Sequence, residues 1–517
     1  MKLYIKTTLI ASILFVLSGC VKDLDVSPID PNLTTSKNVY NTVDDYKEGL
    51  AKLYASFALS GQQGPFGLPD IEDIDEGFGN YLRQYWNCQE LTTEEAVLSW
   101  NDATIKDLHW HTWTATDVFI GAMYSRIMYT VSIANEFIRA TAGSSDPDLM
   151  KFNAEARFLR ALAYSHGIDM FGQMSFVTEE DLPGAFFPEQ VSRSELFDYV
   201  VADLIDMESD LGDPGFEYGR ADKGAAWMLL AKLYLNAEVY TGTPKYTECI
   251  ATLDKVMAAG YSLSSDYMHN FVADNHTSPE MIFPITFDGI NTQSYGGMVY
   301  VLHAQIGGSM PTYDLMGTGE AWAGLRTTSA LVEKFDMAND GRALFWTDGQ
   351  NLEINDIGIF TDGYAITKFR NRKLDGTPSD SDQPVFVDTD WPLFRLADAY
   401  LMYAEAVLRG GTGGTRSQAL TYVNNLRERA FGDATGNIGD ADLDLDFILD
   451  ERARELFWEG HRRTDLVRFG VFTGGDYVWP WKGNVKDGAA SASYRDLFPI
   501  PSAEMAVNPN LEQNPEY

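Results

Sequence analysis

The sequence predicts a mostly α-helical protein in which tetratricopeptide-like helix pairs form a scaffold, interrupted by two long, loop-rich excursions that carry short strands. Three observations predict this fold class. A helix-pair motif recurs along the chain, its copies are scattered and not tandem, and the segments between them are rich in Gly, Pro, Asn and Asp. We expect a single domain over residues 41–517, with the helical scaffold at about 117–260 and 393–470.

Residues 1–19 are typical of a signal peptide. Two lysines precede the apolar run of residues 9–16, which is too short to span a bilayer as a helix. The tetrapeptide LSGC that ends at Cys20 resembles a bacterial lipobox, in which small residues admit the signal peptidase and the cysteine thiol is acylated. Several acyl chains anchor a protein stably, whereas a single chain is marginal. We therefore predict a lipid on Cys20 and a membrane-attached tether over residues 20–40.

The charge of the chain disfavours one class of partner. The precursor has 39 basic and 75 acidic residues, which give a formal net charge of −36. So acidic a surface repels phosphate backbones, and we predict no nucleic-acid partner. After lipidation of Cys20, Cys88 and Cys249 remain. Their spacing does not fit a metal site, and the sequence leaves open whether they form a disulfide.

The helix-pair motif is clearest from Trp227 to Tyr234, which fits the W-x₂-L-[G/A]-x₂-Y opening of a tetratricopeptide helix. The small residue in this motif lets a partner helix approach closely. A partner helix is predicted over residues 246–259.

Two further copies of the motif predict the other helix pairs. One runs from Leu393 to Tyr400 and is followed by a predicted helix at 416–430. A weaker copy ends at Tyr164 and is followed by a predicted helix at 194–211. Periodic helices of this kind are more often core than binding grooves, so the motifs indicate the fold and leave the function open.

Two excursions interrupt the helices, at about residues 60–116 and 266–392. The first contains Gly- and Pro-rich turns, an acidic run and several tryptophans, and the second contains short strand-like runs such as residues 280–285. Because loops on a rigid scaffold often carry binding groups, we expect the ligand site in these excursions.

The stretch ELFWEGHRRTDLVRFG, residues 455–470, alternates charged and apolar side chains. If one helix runs from residue 449 to 469, its charges stand three or four residues apart and can pair. The predicted pairs are Glu451 with Arg454, Glu459 with Arg462 or Arg463, and Asp465 with Arg468. Carboxylates matched by arginines should stay ionised and make poor general acids. We therefore favour a helix with paired charges over an acid/base catalytic site.

Two weaker patterns concern metals. His109 and His111 have strand spacing but lack a third ligand nearby, so hydrogen-bonded histidines are favoured over a metal site. The acidic run at 440–446 lacks the glycine of an EF-hand loop, which favours a solvated helix start over calcium binding. We predict no metal and no cofactor, and we find no phosphate loop, G-x-S-x-G elbow or H-E-x-x-H motif in the sequence.

Several separate stretches carry a family resemblance. They include the run from Glu451 to Gly470, the C-terminal segment from Phe498 to Tyr517, and the shorter motif from Tyr218 to Lys223. Together they resemble the SusD/RagB family over the whole chain from Cys20 onward. Members of this family are surface lipoproteins that capture glycans or, in the RagB branch, peptides, and they form a lid on a TonB-dependent outer-membrane transporter of the SusC type. The resemblance implies the same fold, an outer-membrane location and this partner.

The resemblance also implies a ligand site. In starch-binding members, an arc of three aromatic side chains cups a curved α-glucan, and the matching positions here are Trp100, Tyr295 and Trp322, with Asp75 and Arg83 as polar partners. The weakly positive C–H face of a sugar packs on the negative face of an aromatic ring, and the hydroxyls bind planar polar groups.

One position departs from the starch-binding pattern. Ala103 stands where those members have Asn, and Asn101, two positions away, is the nearest substitute. The loop after Trp322 is also shorter. We therefore expect the affinity to differ more than the selectivity.

The predicted function is non-catalytic capture of a starch-like α-glucan at the outer membrane and its delivery to the transporter. Another glycan, such as a fructan or β-glucan, or a peptide is the main alternative. A glycoside hydrolase that uses Asp75 with Glu94 or Glu95 stays open on spacing. A helical-repeat adaptor would leave the aromatic residues of the loops unexplained.

Overall fold

The computed structural model describes residues 39–517 except 66, 73, 183, 185 and 382–384. The described chain divides into a short unit that ends at Tyr46 and a second unit, Lys47–Tyr517. The predicted signal peptide, the lipidation site Cys20 and all but the last two residues of the tether lie outside the described residues. Within the described part, none of the helices combines the length and the apolar character that a membrane crossing needs.

Helices dominate the fold, which confirms the predicted class. The α-helices are α1 Val43–Ala58, α2 Tyr81–Glu90, α3 Ile105–Trp110, α4 Val118–Thr141, α5 Pro147–Met170, α6 Arg193–Met207, α7 Lys223–Thr241, α8 Tyr246–Met257, α9 Gly297–Ala304, α10 Ser329–Val332, α11 Leu396–Leu408, α12 Arg416–Phe431, α13 Leu445–Leu456, α14 Arg462–Arg468 and α15 Ser502–Val507.

Each copy of the motif begins a helix pair, as predicted: α7 with α8, α11 with α12, and α5 with α6. In the first pair, Ala231 is fully buried and its carbonyl accepts the Cys249 thiol of α8 at 3.4 Å, so the small side chain permits close approach. In the second pair, Tyr400 stacks on Tyr422 with ring centroids 4.3 Å apart. Cys88 and Cys249 are both buried free thiols.

The strands of the described residues form short antiparallel pairs. The strands pair as β1 Val97–Leu98 with β5 Leu325–Arg326, β2 Met174–Ser175 with β3 Gln190–Val191, β4 Met281–Ile285 with β8 Trp391–Arg395, and β6 Phe345–Trp346 with β7 Ala365–Ile366. Strand β4 confirms the strand predicted at 280–285. Since Leu393 lies in β8, α11 begins at Leu396, three residues later than the motif.

The charged stretch near the C-terminus forms two helices and not the single helix predicted. Helix α13 ends at Leu456 and α14 begins at Arg462, and between them Trp458 has a left-handed backbone with a φ of 63°. The side chain of Trp458 is fully buried, and its backbone and indole N–H groups donate to Glu95 at 2.9 and 2.8 Å. Here burial and hydrogen bonding of one aromatic residue override the helical pattern.

The predicted charge pairs of this stretch form in part. Two are present, each at 2.7 Å: Glu451 with Arg454 and Asp465 with Arg468. The predicted pairing of Glu459 with Arg462 or Arg463 is wrong, because Glu459 lies 2.7 Å from Lys368 and 2.6 Å from Arg395. The two arginines bind carboxylates of other elements, Glu94 and Asp169 respectively.

Glu451 and Asp465 stay ionised, as predicted for the carboxylates of this region. Burial alone would raise the pKa of Glu451, but the charges of Arg342 and two further arginines outweigh burial and lower it to about 2. The same balance lowers the pKa of Asp465. These ion pairs therefore link the helical scaffold to the excursions. Their carboxylates do not form an acid/base pair for catalysis.

Candidate functional site

The two excursions meet at a short ladder. Strand β1 of the first pairs with β5 of the second, and the ladder continues where the Ser99 N–H donates to the Gly324 carbonyl at 3.0 Å. The Ser99 hydroxyl also donates to the Ala323 carbonyl at 2.8 Å. This register places Trp100 beside Trp322, although more than two hundred residues separate them in the sequence.

The structure brings the three predicted aromatic residues together. Trp322 lies in the middle, with its ring centroid 6.3 Å from that of Trp100 and 6.3 Å from that of Tyr295. The planes are tilted by 49° and 40°, so the three rings form a curved surface and not a flat one. All three side chains are half-buried, and each is accessible to a ligand. We call these three residues the aromatic arc.

Close packing on a glycine fixes the position of Trp100. A Cβ added to Gly324 would lie 2.6 Å from the indole, so the ring rests against bare backbone there. The indole N–H donates to the Trp322 carbonyl at 3.1 Å, and the ring edge contacts Tyr300 at 6.0 Å between centroids.

The end of helix α9 fixes the position of Trp322. The backbone N–H of Trp322 donates to the His303 carbonyl at 3.0 Å, and Gly324 N–H donates to the Ala304 carbonyl at 2.8 Å. These bonds satisfy carbonyls that a helix end would otherwise leave unpaired. Between them Ala323 has a φ of 50°, a left-handed conformation that an L-residue adopts only under constraint. The Trp322 indole N–H donates to the Glu320 carboxylate at 3.1 Å.

Tyr295 packs against Phe386 with centroids 5.5 Å apart. Its neighbour Ser294 accepts the Gly296 N–H at 3.0 Å and donates to the Glu76 carboxylate at 3.2 Å. Burial raises the pKa of Glu76 to about 7. The acidic run of the first excursion therefore lies directly beside the Tyr295 end of the arc.

The predicted polar partners Asp75 and Arg83 lie on either side of Gly77. Asp75 is exposed and accepts the Gly77 N–H at 2.9 Å, while Arg83 donates to the Gly77 carbonyl at 2.9 Å. The Arg83 guanidinium is buried and lies 4.2 Å from the centroid of Tyr300, the ring that also contacts Trp100. Burial lowers the pKa of Arg83, and an arginine nevertheless keeps its charge.

Asn101 and Ala103 are both exposed. The Asn101 side-chain oxygen accepts a hydrogen bond from Lys106 at 2.6 Å, which leaves its amide N–H₂ as the group for a ligand. The contact between Asn101 and a ligand stays a prediction.

The acids of the alternative hydrolase pair lie in the interior. Glu94 is fully buried, and its carboxylate accepts from Arg462 at 2.7 Å and from the Tyr477 hydroxyl at 2.8 Å. Glu95 is equally buried and accepts the backbone N–H of Trp458. Neither side chain is accessible as the partner of Asp75 in glycosidic bond cleavage.

The two histidines bind protein groups. The two residues do not lie on a strand, because His109 is in α3 and His111 follows it with a φ of 55°. His109 donates to the Pro480 carbonyl at 3.0 Å, and His111 contacts the Thr92 carbonyl at 2.7 Å. Burial lowers the pKa of His109 to about 4. Within the described ranges, no group of three or more His, Cys, Asp or Glu side chains is arranged to hold a metal.

The acidic run at 440–446 is a helix start, as predicted. Asp444 caps α13 by accepting the Phe447 N–H at 2.8 Å, and Asp440 pairs with Arg416 at 2.8 Å.

A cavity of about 320 Å³ lies elsewhere, lined by α1, by Tyr218 to Arg220 and by strand β4. None of the residues of the arc lines it. Two of its polar groups are already engaged: the Tyr54 hydroxyl donates to Glu155 and the Tyr218 hydroxyl to Asp390. The arc, which brings three half-buried aromatic rings together at the meeting point of the two excursions, is therefore the better candidate site.

Comparison with known proteins agrees with the fold. Residues 345–517 match the model of the SusD family. The chain is 34% identical to the starch-binding protein SusD of Bacteroides thetaiotaomicron, and the alignment covers 99% of each chain. This chain belongs to the SusD family. It is also 26% identical to the SusD-like protein P25 of Formosa agariphila over 96% of each chain.

Solved structures share the SusD-family fold. A SusD superfamily protein from Bacteroides vulgatus superposes with a TM-score of 0.71 at 20% identity, covering 92% of this chain and all of that one. Surface glycan-binding protein A from Bacteroides thetaiotaomicron, in complex with laminarihexaose, gives a TM-score of 0.69 at 19% identity, covering 91% of this chain and 99% of that one. A laminarin-binding SusD-like protein gives 0.71 at 22% identity, covering 92% of this chain and all of that one.

The sequence alone missed the supports of the arc in this SusD-family chain. Tyr300, His303 and Phe386 contact arc residues, yet none stands in a motif or at a spacing that connects it to them. Only the pairing of β1 with β5 and the position of α9 reveal these contacts.

Proposed function

We propose that this SusD-family protein is a non-catalytic surface lipoprotein that captures a starch-like α-glucan and delivers it to a TonB-dependent outer-membrane transporter. The observation that carries the proposal is the tilted arrangement of Trp100, Trp322 and Tyr295. The 34% identity to a protein named for starch binding supports it.

A curved arc suits a ligand that is already curved. Amylose segments and cyclodextrins bend, and a preorganised ligand loses less conformational entropy when it docks. Each ring of the arc offers a face to one sugar, and the tilt between neighbouring rings follows a bent chain. Asp75, Arg83 and the Asn101 amide are the polar groups proposed to bind hydroxyls.

A β-glucan is the second candidate. Two of the proteins that share the fold are described as binding laminarin or as a complex with laminarihexaose. Their identity to this chain is 19% and 22%, so the likeness supports the shared fold. What those two proteins bind makes a β-glucan a candidate ligand for this chain.

The proposal excludes catalysis. Hydrolysis needs two accessible carboxyl groups across the scissile bond. Glu94 and Glu95 are buried and engaged, and the curated relatives are named as binding or SusD-like proteins.

Calorimetric titration with four probes tests the proposal: maltoheptaose, α-cyclodextrin, cellohexaose and laminarihexaose. We expect binding of the first two and none of cellohexaose. Binding of laminarihexaose alone would replace starch by a β-glucan and leave the site in place. Chromatography of the same mixtures should show intact oligosaccharides, and shortened products would refute the non-catalytic role.

A further inference from the structure

Behind the arc, one histidine contacts Trp322 through both its ring and its backbone. The imidazole of His303 is fully buried and stacks on the Trp322 indole, with centroids 4.9 Å apart and planes 28° apart. The His303 carbonyl accepts the Trp322 N–H at 3.0 Å. The position and the tilt of this indole therefore both depend on one residue at the end of α9.

The same imidazole reaches the Tyr295 end of the arc. His303 Nε2 lies 2.7 Å from the Val385 carbonyl, and a carbonyl only accepts, so Nε2 carries the proton. Val385 directly precedes Phe386, whose ring packs against Tyr295. A continuous set of contacts thus runs from Trp322 through His303 to Tyr295.

We propose that His303 is a positioning residue that sets the angle between the Trp322 and Tyr295 rings. The inference rests on the proposed function of the arc as a glycan platform. The two planes are 40° apart, and a curved oligosaccharide contacts both faces only while that angle is kept. The stacked imidazole restrains the indole, and its hydrogen bond restrains the segment that carries Phe386.

The charge state of His303 is compatible with this role. Burial lowers its pKa, although the Val385 carbonyl and the Glu320 charge act in the opposite direction. The imidazole is therefore neutral near pH 7. It carries one ring proton, which Nε2 donates to the Val385 carbonyl.

Two amide variants test whether the hydrogen bond to Val385 is needed. Both replace the imidazole, but only one of them can reach the Val385 carbonyl. In His303→Gln the amide nitrogen can occupy the place of Nε2, whereas in His303→Asn it is one methylene too short to reach Val385. We expect His303→Gln to bind maltoheptaose within about threefold of wild type and His303→Asn to bind about tenfold more weakly. Wild-type affinity in His303→Asn would overturn the proposal, whereas an equal loss in both variants would support it and assign the positioning to the stacked ring instead of the hydrogen bond.

A measurement without ligand separates this inference from the proposed function. In protein labelled with 5-fluorotryptophan, the ¹⁹F resonance of Trp322 is assigned by its loss in Trp322→Phe. It should broaden or split in His303→Asn, because the indole samples several orientations, and stay one narrow line in His303→Gln. A narrow line in His303→Asn would overturn the positioning role even if glycan binds. A broadened line in a protein that binds none of the oligosaccharides would support positioning and refute the glycan function.

Discussion

The three rings of the arc are each held by a different kind of neighbour. Trp100 rests on the backbone of Gly324, Trp322 on an imidazole and Tyr295 on a phenyl ring. At the residue scale, binding therefore depends on the supporting residues as well as on the rings.

Removing a ring should remove a binding face. We expect Trp100→Ala or Trp322→Ala each to weaken maltoheptaose binding by about 1 to 3 kcal/mol, as for other truncated binding hot spots. Calorimetric titration measures the loss. Trp227→Ala, on the half-buried surface of helix α7, is the matched control and should bind like wild type. Equal effects at Trp227 and Trp322 would contradict a site at the arc.

A methyl group at Gly324 should displace Trp100 without touching the ligand. The added Cβ would lie 2.6 Å from the indole, closer than carbon atoms tolerate, so the ring must move. We expect Gly324→Ala to weaken binding by at least about 1 kcal/mol, the lower range of overpacking. Gly121→Ala, where nothing lies within 4 Å of the new Cβ, is the control and should bind normally. Unchanged binding in Gly324→Ala would show that the Trp100 position is unimportant.

Ala103 offers a gain of function. Ala103→Asn would add an amide at an exposed position three residues beyond Trp100, and one added hydrogen bond should tighten maltoheptaose binding by about 0.5 to 1.5 kcal/mol. Ala103→Leu adds similar bulk without polar groups and should not tighten it. Calorimetric titration of both variants measures the affinity. Equal affinities would mean that residue 103 does not contact the ligand.

At the scale of elements, the turn between α13 and α14 depends on a buried acid from α2. Glu90 is fully buried and accepts the Gly460 N–H at 2.5 Å and the His461 N–H at 3.1 Å. Burial raises its pKa from an ordinary 4.5 to about 7, and it titrates together with the buried Glu95, whose pKa is raised as well. The neutral form of Glu90 therefore stabilises the native state below the unfolded pKa, and this contribution is lost as the pH rises through 7.

Glu90→Gln tests this dependence because the amide keeps an acceptor and cannot ionise. The free energy of unfolding of the wild type, relative to this variant, should fall between pH 5 and pH 8 by on the order of 1 to 3 kcal/mol. Urea denaturation at the two pH values measures it. Glu48→Gln, at an exposed position of α1, should follow the wild type. A constant difference between Glu90→Gln and wild type would mean that Glu90 does not titrate in this range.

For the molecule as a whole, two features bear on its location: the strong negative charge and the predicted lipid anchor. A net charge of −36 favours a soluble exterior and repels anionic surfaces. We propose that a lipid on Cys20 keeps this acidic protein at the membrane.

Cys20→Ala should release the protein. Without acylation we expect it in the soluble fraction after cell fractionation, since the acyl chains supply the apolar contact with the bilayer. Cys249→Ala removes a buried thiol instead and should leave the protein with the membrane. Retention of Cys20→Ala in the membrane pellet after a high-salt wash would show that another feature anchors the chain.

Features encoded in local sequence patterns could be predicted without the structure. The helix pairs follow from the small residue and the aromatic residue of each motif, and the strand at Met281–Ile285 follows from a short apolar run. Ionised carboxylates near the C-terminus follow from the count of neighbouring arginines. The prediction of a lipid on Cys20 depends on sequence alone, because that residue lies outside the described part of the chain.

Contacts between segments that are far apart in the sequence depend on the folded structure and could not be predicted from local pattern. The pairing of β1 with β5 places Trp100 beside Trp322, and burial of Trp458 breaks a helix that periodicity had predicted. Glu459 binds Lys368 and Arg395, and not its helical neighbours, because the fold brings those cations within hydrogen-bonding distance. Periodicity describes contacts within a few residues, whereas side chains far apart in sequence are brought together by burial of the core as a whole. The ring angles of the arc, and the histidine behind it, belong to this second class.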